Sequence, residues 1–227
     1  MPRQRRIVVP GVPHHITARG NRKQIVFHEN NDYALYYSFL RIYSTKVNVK
    51  VLAWCLMPNH IHIVLVPNHE DDLRALFSPL HTAFAGEINR KYQLSGHLWQ
   101  DRYASIALDE EHTIAALRYV ELNPVRASLT RFPWDFPFSS ARGHLGIVND
   151  PLLSDHEFVT GIEDWRGFLL SGIDDELIQQ FRHHELNGYP LGNRQFLDDC
   201  ELTFGRTMRP KRRGPKPVKG VSLESFQ

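Results

Sequence analysis

The chain has only two cysteines among its 227 residues. Cys55 and Cys200 lie far apart and fit no C-x-x-C spacing, which argues against a disulfide framework, a zinc knuckle or a dithiol redox site. Both are expected to be small side chains packed in apolar surroundings. Long hydrophobic runs are also missing. No stretch reaches the roughly 18 apolar residues that a membrane-spanning helix needs, and the Arg-rich start, Met1 to Arg6, is not followed by the apolar segment of a signal peptide. The expectation is a soluble, cytoplasmic protein with no membrane contact. There is no internal repeat, and the formal net charge is only +2. With 42% hydrophobic residues, the chain can bury one good core and a small additional module.

The small net charge conceals an asymmetry along the sequence. Residues 1–23 carry Arg3, Arg5, Arg6, Arg19, Arg22 and Lys23 and no acid, and residues 206–220 carry Lys211, Arg212 and Arg213 among further cations, again without an acid. Between these ends, residues 150–176 are rich in Asp and Glu, with Arg166 their single cation. Basic ends on a nearly neutral protein suit contacts to a polyanion; the plain alternative is a pair of solubilising termini. From Arg206 onward, Lys and Arg mixed with Pro and Gly, and almost no large apolar residue, predict a disordered tail.

Hydrophobic periodicity gives the organisation. Val12 to Arg19 reads as a strand, closed by Gly20-Asn21. Asn30-Asn31-Asp32 then offers N-cap chemistry for a helix with Tyr33, Tyr36, Tyr37, Leu40 and Tyr43 on its apolar stripe. Val47 to Leu56 and His60 to Val66 read as a β-hairpin turned by Pro58-Asn59. Glu70 to Tyr92 has helical spacing that Pro79 should kink or split. Tyr103 to Leu108 is a further strand, and Glu110 to Asn123 a helix that must end at Pro124. The order β-α-β-β-α-β predicts an α+β fold, the ferredoxin-like antiparallel sheet covered by helices, with one more helix after it. This reading divides the chain into a main domain over residues 1–145, a small helical appendage over 146–205 and a basic tail over 206–227. Within the appendage, helices are expected near Asp155–Phe158, Asp174–Leu186 and Asn193–Phe204.

The chemistry-bearing residues fall in two places. In Met57-Pro58-Asn59-His60-Ile61-His62, residues two apart on a strand share a face, so His60 and His62 converge and can share a divalent metal. In Arg118-Tyr119-Val120-Glu121-Leu122-Asn123-Pro124, Tyr119 and Asn123 lie one helical turn apart on one face. Ala115 and Ala116 would let that helix dock close to the sheet. A divalent metal draws charge off a phosphate oxygen as a Lewis acid, and neutral imidazole with an amide oxygen suits it as a ligand set. Asn123 would sit at the negative end of its helix dipole, which favours a nearby cation. Tyr119 alone is a weak nucleophile, since a pKa of about 10 leaves on the order of one phenolate per thousand molecules at neutral pH. Singly these are two structural histidines, a half-buried tyrosine and a helix stop. Together they suggest phosphodiester chemistry through a tyrosyl intermediate.

The histidine segment resembles the HUH motif, with Ile61 as the bulky hydrophobe. The segment Arg118 to Ala127 resembles the tyrosine segment of the REP-associated tyrosine transposases, relatives of the insertion-sequence single-strand transposases. His14-His15-Ile16-Thr17-Ala18-Arg19-Gly20-Asn21 and His97-Leu98-Trp99-Gln100-Asp101-Arg102-Tyr103 are similar to the same family, and the likeness covers about residues 10–145. The resemblance implies that His60, His62 and Asn123 bind Mg²⁺ or Mn²⁺. It also implies that Tyr119 attacks DNA to leave a 5′-phosphotyrosine bond and a free 3′-OH. The implied partner is a single-stranded DNA hairpin of the REP type with a short tetranucleotide at its foot, in a bacterial, nucleoid-associated setting, with the protein a monomer or a homodimer. Arg3, Arg5, Arg6 and Arg19 at one end, and Lys211, Arg212 and Arg213 at the other, are the candidate DNA contacts. Two other readings stay open: a catalytically silent, domesticated hairpin-binding protein, and an RNA-binding ferredoxin-like domain. The RNA-binding reading would need paired aromatics on exposed strands.

Overall fold

The computed structural model describes residues 6–208. Its centre is a four-stranded antiparallel sheet of β1 (His14–Arg19), β2 (Lys50–Met57), β3 (His60–Val66) and β4 (Ala104–Ala107) in the order β2-β3-β1-β4. With helices α1 (Asn30–Val47), α2 (Asp72–Tyr92) and α3 (Glu110–Arg126) between and after the strands, this is the expected ferredoxin-like α+β arrangement. Five shorter helices follow: α4 (Ala141–His144), α5 (Glu157–Thr160), α6 (Trp165–Leu170), α7 (Asp175–Asn187) and α8 (Arg194–Phe204). The segments α4 and α6 gave no periodic signal, being four and six residues long.

Register divides the strand residues between two faces. Ile16, Ile61, Ile63, Leu65, Trp54 and Leu56 form one core with Tyr33, Tyr36 and Leu40 of α1 and Leu73, Phe77, Leu80 and Phe84 of α2. On the other face Val64, Val66, Ala53, Cys55 and Ile106 pack under Ala116, Leu117 and Val120 of α3, Trp165 of α6, and Ile178 and Phe181 of α7. Because both faces are covered, even alternating positions of β2 and β3 are buried, and no open strand surface remains for the base stacking an RNA-binding sheet needs. The segments after residue 145 contribute directly to the second core.

At the two helix prolines, the split allowed for at Pro79 does not occur, and the expected end at Pro124 is corrected. The helix α2 runs unbroken through Pro79. Proline removes the donor to the carbonyl four residues back, but Ala75 and Pro79 are exposed, so water can solvate that carbonyl. The helix α3 continues past Pro124 to Arg126. Here the orphaned carbonyl belongs to buried Val120, and the Asn123 side chain supplies the missing donor: Nδ2 donates to Tyr119 O at 2.9 Å and reaches Val120 O at 3.4 Å. Smaller corrections concern element ends. Asp32 is not the cap itself but lies one turn inside α1, where its carboxylate accepts from the amides of His28 and Glu29.

The acidic stretch has structural work. Asp150 accepts from Tyr37 Oη at 2.6 Å and Trp54 Nε1 at 2.8 Å, while Asp164 and Asp174 accept from the first-turn amides of α6 and α7. The start of the expected tail is also ordered. Met208 is buried with Ile7 and Cys200, and its amide donates to Glu201, so both described ends of the chain meet in one small cluster. The rest of that tail, from residue 209, lies outside the described residues.

Candidate active site

The Met-Pro-Asn-His turn is held through its backbone. Pro58 O accepts from the amides of Val26 and Phe27, and Asn59 O from Gly20 N. Gly20 is required by close approach: a Cβ there would lie 2.3 Å from Gln24 O and 2.7 Å from Val26 Cγ1. The turn therefore docks against the end of β1. Antiparallel register sets His60 opposite Arg19 and Met57, and His62 opposite Thr17 and Cys55. These side chains share the face that α3 covers.

On that face a cleft of about 470 Å³ is lined by Arg19, His60, His62, Tyr119, Asn123 and Arg126, with Arg182, Glu185 and Leu186 of α7. The four candidate chemical residues and Arg19 are thus brought together. Arg6 is elsewhere, its guanidinium 3.8 Å above the Tyr103 ring and donating to Tyr103 O. Arg3, Arg5, Lys211, Arg212 and Arg213 lie outside the described residues.

The imidazoles are prepared as neutral donors. Burial, reinforced by Arg19, lowers the His60 pKa to about 4. His62 is held well below its ordinary value by burial, then by His60, His15, Arg126 and Arg19. His60 Nδ1 contacts Asn59 Oδ1 at 2.6 Å; an amide oxygen only accepts, so Nδ1 carries the proton and Nε2 keeps its lone pair. The Asn123 amide nitrogen is committed to helix carbonyls, which leaves Oδ1 as a donor atom for a cation. Two neutral imidazoles and an amide oxygen fit a divalent metal in charge and in chemistry.

Tyr119 is 3% exposed. Its ring packs against Phe181 at 4.9 Å and meets the edges of His15 and His62 at 5.6 and 5.5 Å. Burial, followed by the Glu185 carboxylate, raises its pKa, while the Arg126 guanidinium, 4.6 Å over the ring, pulls the other way. A bare phenol in this site is a still weaker nucleophile than in water.

A family model described as "Transposase IS200 like" matches residues 9–123, half of the chain. The chain belongs to the IS200-like transposase family. It is 27% identical over 103 residues to a Haemophilus influenzae protein named as a REP-associated tyrosine transposase, a match covering 40% of this chain and 58% of that protein. This chain therefore spans little more than half the length of that relative. A solved structure described as a REP-associated tyrosine transposase bound to a REP hairpin shares the fold. It is 20% identical, with a TM-score of 0.52 over 70% of this chain and 93% of the other.

Several residues in and beside the cleft lie outside the family-matched segment: Arg126, Arg182 and Glu185 line the cleft, and Phe181 packs on the Tyr119 ring. Nothing in the spacing of α7 marks Glu185. His15 carried a partial signal, being two and four residues before Thr17 and Arg19 on one strand face, but placing it beside His62 required the β1-β3 register. Donor atoms of His15, His62 and Glu185 lie within 4.8 Å of one another. Burial lowers the His15 pKa to about 3 and raises that of Glu185 to about 7, although Arg19, Arg182 and Arg126 oppose the latter.

Proposed function

We propose that this transposase is a single-stranded DNA endonuclease and strand transferase that acts on REP-type hairpins through Tyr119. The observation that carries the reading is the convergence of Tyr119, His60, His62 and Asn123 on one cleft rimmed by arginines. Tyr119 Oη attacks the phosphorus and the P–O3′ bond breaks. The 5′-phosphate becomes esterified to the phenol oxygen, the phenol proton is released, and the departing 3′-oxygen takes up a proton. Attack by a 3′-OH on that ester reverses the sequence and joins strands.

His60 and His62 through Nε2, with Asn123 through Oδ1, would hold Mg²⁺ or Mn²⁺, which supplies Lewis-acid withdrawal of charge from a non-bridging phosphate oxygen. The protein's own part is electrostatic and positional. Arg126 favours the phenolate over the phenol, and Arg19 and Arg182 offer guanidinium donors to phosphate oxygens. Phe181 limits the swing of the phenol ring. The REP-hairpin specificity rests on the likeness to the curated relative and to the hairpin-bound structure, whose described partner it is.

The test is covalent trapping. A labelled single-stranded hairpin with Mg²⁺ should yield a protein–DNA adduct resistant to denaturation with the wild type and none with Tyr119→Phe, while hairpin binding in gel shifts stays nearly equal. An adduct in Tyr119→Phe would assign the nucleophile elsewhere, and hairpin binding without any wild-type adduct would favour the silent binder.

A further inference from the structure

We propose that Glu185 and His15 form a positioning relay behind His62, fixing the tautomer in which the His62 Nε2 lone pair is available to a divalent metal. The proposal rests on the metal-dependent reading above and adds to it two residues, one of them on a helix outside the family-matched segment.

His15 Nε2 and His62 Nδ1 are 2.9 Å apart. The ring planes differ by 10° and the centroids are 5.1 Å apart, close to the nitrogen contact plus the two ring radii. The rings therefore lie edge to edge in nearly one plane, the geometry of an in-plane N–H···N bond rather than of a stack. One proton occupies that bond, and it can sit in two ways. If His62 Nδ1–H donates, His62 Nε2 keeps its lone pair and His15 carries its remaining proton on Nδ1. If His15 Nε2–H donates, His62 Nε2 is protonated and closed to a metal, and His15 Nδ1 presents a lone pair.

The group facing His15 Nδ1 decides between them. Glu185 Oε1 lies 3.9 Å away. That is too long for a hydrogen bond, yet both atoms are buried and neither has a hydrogen-bond partner among the described residues. Beside His15, whose ring is buried with Phe181 and Tyr119 at 5.8 and 5.6 Å, a carboxylate attracts an N–H dipole and repels a nitrogen lone pair. It selects the first arrangement. Burial holds the Glu185 carboxyl up at about 7 against the pull of Arg19, Arg182 and Arg126, so the selection operates where that group is ionised. Carboxylate–histidine pairs behind metal ligands work in the same way, with one imidazole where this chain has two.

The experiment uses the full-length protein without DNA and has two readouts. Long-range ¹H–¹⁵N NMR on histidine-labelled protein should find His62 protonated at Nδ1 in the wild type and mixed in Glu185→Ala. Mn²⁺ affinity, followed by the electron paramagnetic resonance of the free ion, should fall roughly 10-fold or more in Glu185→Ala. It should fall by less, but measurably, in Glu185→Gln, which keeps the shape and removes the charge. His60→Ala, a direct ligand in this reading, should lose far more. A wild-type His62 protonated at Nε2, or wild-type Mn²⁺ affinity in Glu185→Gln, would overturn the relay. A loss in Glu185→Gln as deep as in His60→Ala would also overturn it, by making Glu185 a ligand. Unchanged affinity in His60→Ala would instead sink the metal reading beneath it.

Discussion

Asn59 illustrates how one residue can serve both the turn and the chemistry. Its Oδ1 holds the His60 ring at 2.6 Å, and its Nδ2 donates to Lys23 O at 3.0 Å, so the amide that orients the imidazole is itself oriented. Removing it frees the ring to rotate and lets Nδ1 lose its fixed proton. We expect Asn59→Ala to weaken Mn²⁺ binding about 10-fold. Because Asn59 is only half-buried, stability should change by about 1 kcal/mol or less. Asn59→Asp, which keeps an acceptor at the same place, should recover most of the affinity. Mn²⁺ titration beside urea unfolding checks both parts, and equal affinity in Asn59→Ala would reduce the residue to a turn former. His60 and His62 were legible as a pair because strand alternation places them together from spacing alone. The partners of those two rings, Asn59 and His15, were not: one needed the conformation of the turn and the other the pairing of β1 with β3.

At the scale of the element, α3 carries Tyr119 and Asn123 and is pinned from its far side. Glu121 is fully buried, yet its carboxylate accepts from Ser140 Oγ at 2.5 Å, His144 Nδ1 at 2.6 Å and Trp165 Nε1 at 2.7 Å. The residues after α3 thus clamp the helix that carries Tyr119. Trp165→Phe keeps most of the apolar contact and deletes one donor to a buried carboxylate, for an expected loss of roughly 1–3 kcal/mol. Urea unfolding should show it as a lower midpoint at unchanged slope, and an unchanged midpoint would mean that water replaces the indole. Helix existence was readable from periodicity, whereas the end placed at Pro124 was misread for a reason of context. Part of a proline's cost to a helix is the freed carbonyl left without a partner, and here exposure at Ala75 and the Asn123 amide at Val120 lessen it.

For the whole molecule, buried neutral histidines should make the fold acid-sensitive. Burial lowers His14 and His60 to about 4 and His15 and His81 to about 3, from an ordinary value of 6.5. Between about pH 6.5 and 4 the unfolded chain binds protons that the folded one refuses, so stability rises with pH across that window and is lost as pH falls. Glu185, raised to about 7, and His112, raised by its hydrogen bond to the Asp109 carboxylate, work in the opposite direction, but they are two groups against four. Urea midpoints at pH 7, 6 and 5 should fall in that order; a flat profile would show that these rings are protonated in the folded state. The second prediction at this scale concerns charge at the ends. Ile7 and Met208 meet in one cluster, so the basic segments beyond them start from the same side of the molecule. Truncation after Met208 keeps that cluster and removes Arg209, Lys211, Arg212, Arg213, Lys216 and Lys219. Affinity for single-stranded hairpins should drop, and the slope of log K against log salt should flatten by about 0.7 to 0.9 for each phosphate that the shortened chain leaves unneutralised. Tighter binding with faster cleavage would instead mark the tail as an inhibitor.

Read alone, the sequence determined the order of strands and helices, the antiparallel α+β class, the shared face of His60 and His62 and the one-turn spacing of Tyr119 and Asn123. All of these follow from local periods of two and 3.6 residues, which neighbouring residues impose on one another. Only the tertiary structure decided that the two motifs face one cleft, that His15 meets His62, and that α7 brings Glu185 and Arg182 to that cleft, and Phe181 against the Tyr119 ring, from far along the chain. Strand register and helix docking are set by which apolar surfaces bury each other, a property of the assembled core that no stretch of local spacing contains.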